Sequence, residues 1–230
     1  MLESRIAIIP ARSGSKRIPR KNIKAFLGKP IIAYSIEVAL ASGLFDEVMV
    51  STDDEEIGSI AREFGANVPF IRSEKNSNDL ASTMDVIKEV MQFYVSSGKS
   101  FSYGCCIYAT APFILAEHLA KGFDKLINSN LDTVFPVVPF SYPIWRGLES
   151  LHDGKVKMVW PEYQNSRSQD LKPVFHDAGQ WYWFNLKTPI EALFTSNSGS
   201  LILSEEEVQD IDTITDWKLA EMKYKLLHEA

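Results

Sequence analysis

A short basic stretch behind a predicted first strand carries the residue types best suited to chemistry in this chain. Between Glu3 and Glu37 there are eight Lys or Arg residues and no carboxylate, although the 230-residue protein has a net charge of −6. Six of the eight lie in residues 9–24, directly after an apolar run at residues 6–9 that predicts a buried strand. Concentrated positive charge at the end of a buried strand predicts a bound anion, and a polyphosphate fits best.

Both the backbone and the side chains of this basic stretch could hold the anion. Small residues let backbone N–H groups approach it, and long cationic side chains can surround it; these are Ser13, Gly14 and Ser15, and Arg12, Lys16 and Lys21. The alternative is a solvated surface loop, or a nuclear-targeting or nucleic-acid patch, but such patches rarely follow a first apolar strand. Neither a Walker loop nor a Gly-x-Gly-x-x-Gly motif occurs in the stretch.

A pair of aspartates near the other end of the chain could bind a metal ion. Asp210 and Asp212 flank Ile211, so in an extended segment both carboxylates point the same way. Such a pair suits a hard divalent cation such as Mg²⁺. Phosphate oxygens would complete the coordination shell of the ion. The alternative is helix capping by Asp212 or Thr213, which would leave Asp210 without a role.

The bulk properties narrow the class of protein. An acidic chain with one basic stretch argues against general nucleic-acid binding, and no apolar segment of 18 residues could span a bilayer. Cys105 and Cys106 are neighbours and unsuited to a structural disulfide, which agrees with a reducing, cytoplasmic location. No secretory signal is expected at the start of the chain. No Cys/His spacing predicts zinc, and His118 is expected at a helix surface.

Strand-like and helix-like segments alternate through the first two thirds of the chain. Strands are predicted at residues 6–9, 47–51, 68–71, 104–108, 133–139, 175–184 and 201–203, and helices at 30–42, 53–65, 83–96, 116–129 and 213–228. Asp53 is expected to cap the second helix. This alternation predicts an α/β fold: a Rossmann-like, mostly parallel sheet with helices on both faces and ligands at the carboxyl ends of the strands.

Residues 140–172 differ in character from the rest of the chain. They are rich in Tyr, Trp and Pro, with hairpin-like alternation around Asp153 and Gly154. We therefore expect a single domain over residues 1–230, with 140–172 as a small inserted β-rich arm. Aromatic-rich arms often pack on a partner subunit, so a homodimer is expected.

The motifs taken together resemble the cytidylyltransferases that activate acidic sugars, the CMP-sialic acid synthetases and their relatives. The similar segments are Ile8-Ile9-Pro10-Ala11-Arg12-x-Gly14-Ser15-Lys16-x-Ile18-Pro19-x-Lys21-Asn22, Ser51-Thr52-Asp53-Asp54-Glu55, Arg72 with Asp79 and Ser82-Thr83, and Asp210-Ile211-Asp212-Thr213. Ser13 stands where the family more usually has Gly, and a small side chain is tolerated there unless φ is positive. Two stretches, residues 106–113 and 160–182, are most similar to the branch of the family that acts on pseudaminic acid.

The resemblance implies a reaction of CTP with the anomeric hydroxyl of a nine-carbon 2-keto sugar acid, releasing pyrophosphate. Arg12 and Lys21 would stabilise the α-phosphate transition state, with Lys16 on the β and γ groups and Mg²⁺ on Asp210 and Asp212. The CTP site would comprise Ala11, Ser13, Gly14, Ser15, Asn22, Arg72, Asp79, Ser82 and Thr83. Of these, the Ala11 backbone and the side chains of Asn22, Arg72 and Ser82 or Thr83 would hold the cytidine. The sugar site would comprise Tyr108, Thr110, Gln180 and Tyr182, with Arg167 reaching the sugar carboxylate, across a dimer interface in one arrangement.

Two other functions remain open at this point. A sugar-nucleotide-dependent glycosyltransferase also combines an α/β sheet with an Asp-x-Asp metal site, but its donor is already activated, so a polyphosphate loop would be superfluous. A non-catalytic nucleotide- or RNA-binding module would tolerate loss of the aspartate pair and bind nucleic acid with steep salt dependence. Within the preferred family, sialic, legionaminic and deoxy-octulosonic acids are alternative substrates.

Overall fold

The computed structural model describes residues 3–228 and contains five α-helices and eleven short or long strands in that range. The strands are β1 Arg5–Pro10, β2 Ala25–Phe26, β3 Lys29–Pro30, β4 Glu47–Ser51, β5 Tyr103–Ile107, β6 Thr133–Pro139, β7 Leu148–Ser150, β8 Val156–Met158, β9 Phe175–Asp177, β10 Trp181–Asn185 and β11 Ser198–Ile202. The helices are α1 Ile31–Ala41, α2 Glu55–Glu63, α3 Thr83–Ser96, α4 Ala116–Asn128 and α5 Ile214–His228. None of the helices in this range is long and apolar enough to span a membrane.

A seven-stranded sheet in the order β11-β6-β10-β5-β1-β4, with β9 added beside β6, forms the centre of the protein. Strands β1, β4, β5, β6 and β11 run in one direction, and β9 and β10 run against them. The mostly parallel, Rossmann-like sheet predicted from the alternation of elements is therefore confirmed. In such a sheet the loops that follow the parallel strands gather at one edge, where ligands bind.

Helices cover both faces of the sheet, as predicted. Alternate residues of β1 point to opposite sides: Ala7 and Ile9 pack with α1, α2 and α4, whereas Ile6 and Ile8 pack with α3. Helix α5 belongs to a third apolar cluster, in which Trp217 packs with Phe26 and Ile211. This third cluster brings the end of the chain against the segment that follows β1.

The arm, residues 140–172, is inserted between β6 and β9, which pair with each other as antiparallel neighbours. Within it β7 and β8 form their own two-stranded sheet, so the hairpin expected around Gly154 is present. Trp145 packs against Trp160 and Tyr163, with ring centroids 5.5 Å apart in both pairs. Other apolar side chains of the arm lie in solvent, among them Tyr142, which is 86% exposed.

Two strand predictions were wrong. Residues 68–71 make only one isolated bridge, from Ile71 to Thr52, because Pro69 within them has no N–H to donate to a ladder. Residues 175–184 form two strands rather than one, because Asp177 accepts a hydrogen bond from the Gly179 N–H in a tight turn and Gly179 has a φ of 63°. The remaining predicted strands and helices are present, with ends that differ by a few residues.

Two predictions about single side chains were also wrong. Asp54, not Asp53, caps α2, accepting from the backbone N–H of Ile57 at 3.0 Å. His118 is buried rather than on the surface of α4, with Nε2 3.4 Å from a carboxylate oxygen of Glu207. The free cysteines Cys105 and Cys106 are buried in β5 without a disulfide, as expected.

Candidate active site

A cleft of about 530 Å³ opens at the carboxyl ends of β1 and β5. It brings together the basic stretch after β1, the segment around the start of α3, the residues after β5 and the segment before α5. The lining residues are Pro10, Arg12, Gly14, Ser15, Lys16, Arg17, Ile18, Lys21, Asn22, Arg72, Asn76, Asn78, Asp79, Ala81, Ser82, Thr83, Val86, Tyr108, Ala109, Thr110 and Asp212. The two ends of the chain that the sequence singled out therefore meet in one cavity.

Carboxylates from distant parts of the chain neutralise the cations of the cleft. Asp79 pairs with Arg12 at 2.9 Å and with Lys16. The hydrogen bond from Lys16 and its charge, together with Arg12, hold the pKa of Asp79 below its usual range. These groups are partly solvent-exposed, so an anion with more charge than one carboxylate could replace Asp79.

The second set of cations faces the aspartate segment before α5. Arg17 Nη1 lies 2.8 Å from Asp212 Oδ2, and Lys21 Nζ lies 3.6 Å from Asp212 Oδ1. Lys21 also donates a hydrogen bond of 2.6 Å to the backbone carbonyl of Ile211. The contacts join the start of the chain to its end across 190 positions of sequence.

Asp53 organises the turn after β1 instead of capping a helix. Its carboxylate accepts hydrogen bonds from the Ser13 N–H at 2.9 Å and from the Ser13 hydroxyl at 2.7 Å. Burial alone would raise the pKa of Asp53, but the two Ser13 bonds and the nearby Arg72 outweigh it, so the pKa lies below its usual value. Ser13 is not among the residues with positive φ, so the turn accepts a side chain at this position.

Arg72 is buried in the wall of the cleft with donors that nothing in residues 3–228 satisfies. Its side chain is 3% exposed, and Nε and Nη2 have no hydrogen-bond partner. The nearest carboxylate oxygen, on Asp53, is 3.6 Å from Nη2, too far for a hydrogen bond. Burial lowers the pKa of Arg72 although Asp53 opposes the shift. Unpaired buried donors that line a cavity indicate a ligand with acceptor atoms.

Some of the other residues predicted to bind cytidine line the same cleft as Arg72. Asn22 lies in the wall, and its Nδ2 donates to the Arg12 carbonyl at 2.9 Å. Ser82 and Thr83 are at the first turn of α3, where Ser82 caps the helix through the N–H of Asp85. Ala11 and Ser13 are not among the lining residues, because Ala11 is buried and its N–H donates to the Ser51 carbonyl.

The capping alternative is confirmed for Thr213 and is wrong for Asp212. Thr213 begins α5, since its hydroxyl accepts from the Asp216 N–H, and the Asp216 carboxylate in turn accepts from the N–H of Asp212 and of Thr213. Ile211 is buried in the third apolar cluster, which leaves its two neighbours to point away from the core. Desolvation and the like charge of Asp212 raise the pKa of Asp210.

The donor set of this segment suits a hard cation that is bound in part by another molecule. Asp210 and Asp212 supply carboxylate oxygens, the ligands that Mg²⁺ prefers. Within residues 3–228 no group of three or more His, Cys, Asp or Glu side chains could hold an ion by itself. The two aspartates could therefore hold Mg²⁺ where water and phosphate oxygens supply the other ligands.

The predicted sugar-site residues divide into two groups. Tyr108 and Thr110 line the cleft, and the Tyr108 hydroxyl lies 3.4 Å from that of Thr83. Tyr182 and Gln180 do not line it: Tyr182 is buried behind Tyr108, with ring centroids 5.2 Å apart, and donates to the Asp177 carboxylate. Arg167 is exposed on the arm and is also outside the cleft lining.

Reasoning from the sequence missed several residues at the site, among them Arg17, Asn78 and Asp53. Arg17 was in the basic stretch but was not assigned a role, and Asn78, whose carbonyl accepts from Arg12 at 3.0 Å, gave no signal at all. Asp53 was assigned to helix capping because it precedes a helix. Asp53 and Asp54 are adjacent, and this was the one sequence feature that could have suggested that one of them caps the helix while the other has a separate role.

Comparisons with known proteins agree with this geometry. A family model described as cytidylyltransferase matches residues 6–210. The chain is 43% identical to the pseudaminic acid cytidylyltransferase of Campylobacter jejuni over 98% of each protein, and 31% identical to the CMP-N,N'-diacetyllegionaminic acid synthase of Legionella pneumophila over 98% of each. Its fold resembles that of a CMP:2-keto-3-deoxy-manno-octonic acid synthetase complexed with CTP, with a TM-score of 0.68, 18% identity and coverage of 99% of this chain and 100% of the other. The chain belongs to the cytidylyltransferase family.

Proposed function

We propose that the protein joins CTP to pseudaminic acid, giving the CMP-sugar and pyrophosphate. The choice of sugar is supported by 43% identity to the Campylobacter jejuni pseudaminic acid cytidylyltransferase, against 31% to the legionaminic acid synthase. The observation that carries the proposal is structural. One cleft is lined both by Arg72, whose Nε and Nη2 have no hydrogen-bond partner in the described residues, and by a cluster of cations beside Asp212.

The guanidinium of Arg72 suits the base of the nucleotide. Cytosine offers two adjacent acceptors, O2 and N3, whereas uracil carries a hydrogen on N3, so a guanidinium donates well to the first and badly to the second. Arg72 would therefore select cytosine, with Asn22 fixing the turn that carries Arg12. Ser82 and Thr83, at the start of α3, would complete the cytidine site.

The basic stretch suits a triphosphate and the charge that develops as it reacts. Attack of the sugar hydroxyl on the α-phosphorus breaks the bond to the β-phosphate and leaves pyrophosphate, so catalysis requires alignment and charge neutralisation. Lys21, already held beside Asp212 and the Ile211 carbonyl, would donate to the α-phosphate oxygens in the transition state. Arg12 and Lys16 would take the departing pyrophosphate in exchange for Asp79.

The aspartate pair would hold Mg²⁺ against the phosphates. When bound, the ion would supply charge neutralisation and lower the pKa of the attacking hydroxyl. The protein's own part is to keep both carboxylates together. Arg17 and Lys21 contact Asp212, while burial and, after it, the like charge of Asp212 raise the pKa of Asp210.

The sugar would lie near Tyr108 and Thr110, with Tyr182 supporting Tyr108 from behind. We also propose that the chain is a single domain that acts as a cytoplasmic homodimer. Arg167 and the exposed apolar residues of the arm, including Leu148 and Val156, support an interface, since Arg167 lies outside its own cleft. In a dimer Arg167 could reach the sugar carboxylate of the partner's site.

The proposal is tested by assaying pyrophosphate release for each of the four nucleoside triphosphates with a panel of sugar acids. We expect release only with CTP and divalent metal, and the highest kcat/KM with pseudaminic acid over legionaminic, sialic and deoxy-octulosonic acids. A higher kcat/KM with another sugar acid would move the substrate assignment to that sugar. No pyrophosphate with any pair, together with transfer from a ready-made sugar nucleotide, would favour the glycosyltransferase alternative.

A further inference from the structure

The segment that carries the aspartate pair is fastened to the protein on the side away from the cleft. It begins with a 3₁₀ helix, Glu205–Glu207, capped by Ser204. Val208 packs in an apolar cluster with Val138, Ala178 and Leu203, and Ile211 packs in the cluster of α5. The hydrophobic contacts fix the depth of the segment, but the direction of its peptide groups depends on hydrogen bonds.

Lys223 on α5 supplies two of these hydrogen bonds. Its Nζ donates to the carbonyl of Glu205 at 3.1 Å and to the carbonyl of Val208 at 2.9 Å. It thus bridges the first residue of the 3₁₀ helix and the residue just after it. Within residues 3–228 Lys223 makes no ion pair with a carboxylate, so its donors are directed to the backbone. Lys223 also brings a positive charge to a segment with four acidic residues, at 205–207 and 210, whose negative charges repel one another.

Gln180 fastens the same segment from the sheet side. It is 2% exposed, and its Nε2 donates to the carbonyl of Glu207 at 2.7 Å. Together the two side chains bond the carbonyls of residues 205, 207 and 208, immediately before Asp210. Neither side chain lines the cleft, so neither can act by touching the nucleotide.

We propose that Lys223 is a positioning residue for the aspartate pair, with Gln180 as its counterpart on the other side. Held at both ends, by Lys223 near Val208 and by Lys21 at Ile211, the segment presents both carboxylates together. Without Lys223 the part before Asp210 can rotate, and the two carboxylates separate. The proposal rests on the proposed function, in which this pair holds Mg²⁺.

The test compares Lys223→Met, which keeps the apolar stem and removes the donors, with Lys225→Met on the same helix. Lys225 is exposed and makes no side-chain hydrogen bond or ion pair in the described part of the chain. The dissociation constant for Mn²⁺ is measured by electron paramagnetic resonance on the nucleotide-free protein. The Mg²⁺ concentration for half-maximal pyrophosphate release is measured at saturating CTP. Thermal unfolding is followed for every variant.

We expect Lys223→Met to raise both metal constants by about 10- to 100-fold, the range typical when a partner that orients metal ligands is removed. Lys225→Met should leave both unchanged, and saturating Mg²⁺ should restore much of the turnover of Lys223→Met. If the Met variant does not fold, Lys223→Gln, which keeps an N–H₂ donor, is used and should give a smaller rise.

A lower unfolding temperature with unchanged Mn²⁺ and Mg²⁺ constants would overturn the proposal and leave Lys223 a purely stabilising residue. Failure of the proposed function would look different. In that case wild-type protein would release no pyrophosphate from CTP and pseudaminic acid, while the Mn²⁺ titration would still report whether Lys223 controls metal affinity.

Discussion

Replacing Arg72 by Met tests whether the unpaired guanidinium is there to bind the base. The Met side chain has a similar length and no donors, so it fills the buried position without bonding cytosine. A hydrogen bond from a charged donor contributes about 1.5–3 kcal/mol. Loss of one such bond should lower kcat/KM for CTP by about 10- to 150-fold. The ratio of kcat/KM for CTP to that for UTP should narrow by a similar factor.

The stability of the nucleotide-free protein should respond in the opposite sense. Arg72 is buried without a hydrogen-bonded partner at Nε or Nη2, so its removal relieves a desolvation cost, while Asp53 loses an ion pair that is already 3.6 Å long. Asp53 keeps its two hydrogen bonds from Ser13, so the turn after β1 should survive. The unfolding temperature without nucleotide should therefore be equal or higher, while the increase that CTP produces should largely disappear.

The assay uses pyrophosphate release, calorimetric binding of CTP and of inorganic tripolyphosphate, and thermal unfolding. Arg62→Met on α2 is the matched control, because Arg62 is half-exposed and away from the cleft. We expect tripolyphosphate to bind Arg72→Met and wild type equally. A parallel loss of CTP and tripolyphosphate affinity would mean that Arg72 acts on phosphate, and an unchanged CTP/UTP ratio would refute its role in base selection.

Four further outcomes are expected. Lys21→Ala should lower kcat by about 100-fold or more with a smaller effect on KM for CTP; unchanged turnover would remove Lys21 from the transition state. Asp212→Ala should abolish Mg²⁺-dependent turnover. Its free energy of unfolding in urea should stay within about 0.5 kcal/mol of wild type, because Thr213 caps α5. A larger loss of stability would mean that Asp212 also caps the helix. Asp79→Asn should tighten tripolyphosphate binding several-fold in calorimetry, because two cations lose their competing carboxylate; weaker binding would mean that Asp79 assists the nucleotide directly. Asp54→Ala should lower the free energy of unfolding by about 1 kcal/mol at pH 7 through loss of the α2 cap. Since the hydrogen bond from Arg20 depresses the folded-state pKa of Asp54, urea titrations should show this difference shrinking as pH falls below about 4.

Periodicity and turn residues were sufficient to predict most of the fold. The strand at residues 6–9 and the helix at 83–96 have clear apolar patterns, and both are present. The failures occurred where one local group opposed the pattern. Pro69 removes a donor from an otherwise strand-like run, and Gly179 turns the chain in the middle of an apolar stretch. A periodic pattern averages over such residues and cannot register them.

The site was predicted as far as it depends on residue type. Arg12, Lys16, Lys21 and Asp212 were predicted because they lie in short segments with a high density of charge of one sign. All four line one cleft. Which charge pairs with which was not predictable, since it depends on distances between elements far apart in sequence. Gln180 shows the difference: its type suited a sugar site, yet its amide is bonded to a backbone carbonyl outside the cleft.

Charge balance explains why the basic stretch can fold before any nucleotide is present. Asp79 forms ion pairs with Arg12 and Lys16, and Asp212 forms ion pairs with Arg17 and Lys21. The carboxylates at the start of α2 form ion pairs with Arg20. Each of these ion pairs is partly exposed, so a triphosphate can exchange with a carboxylate at modest cost. Arg72 differs because it is buried with two nitrogens that no described residue satisfies. The cations that would bind phosphate can therefore exchange their partners, whereas the Arg72 side chain is held in a buried position. Discrimination between bases requires a pair of donors that is fixed in this way.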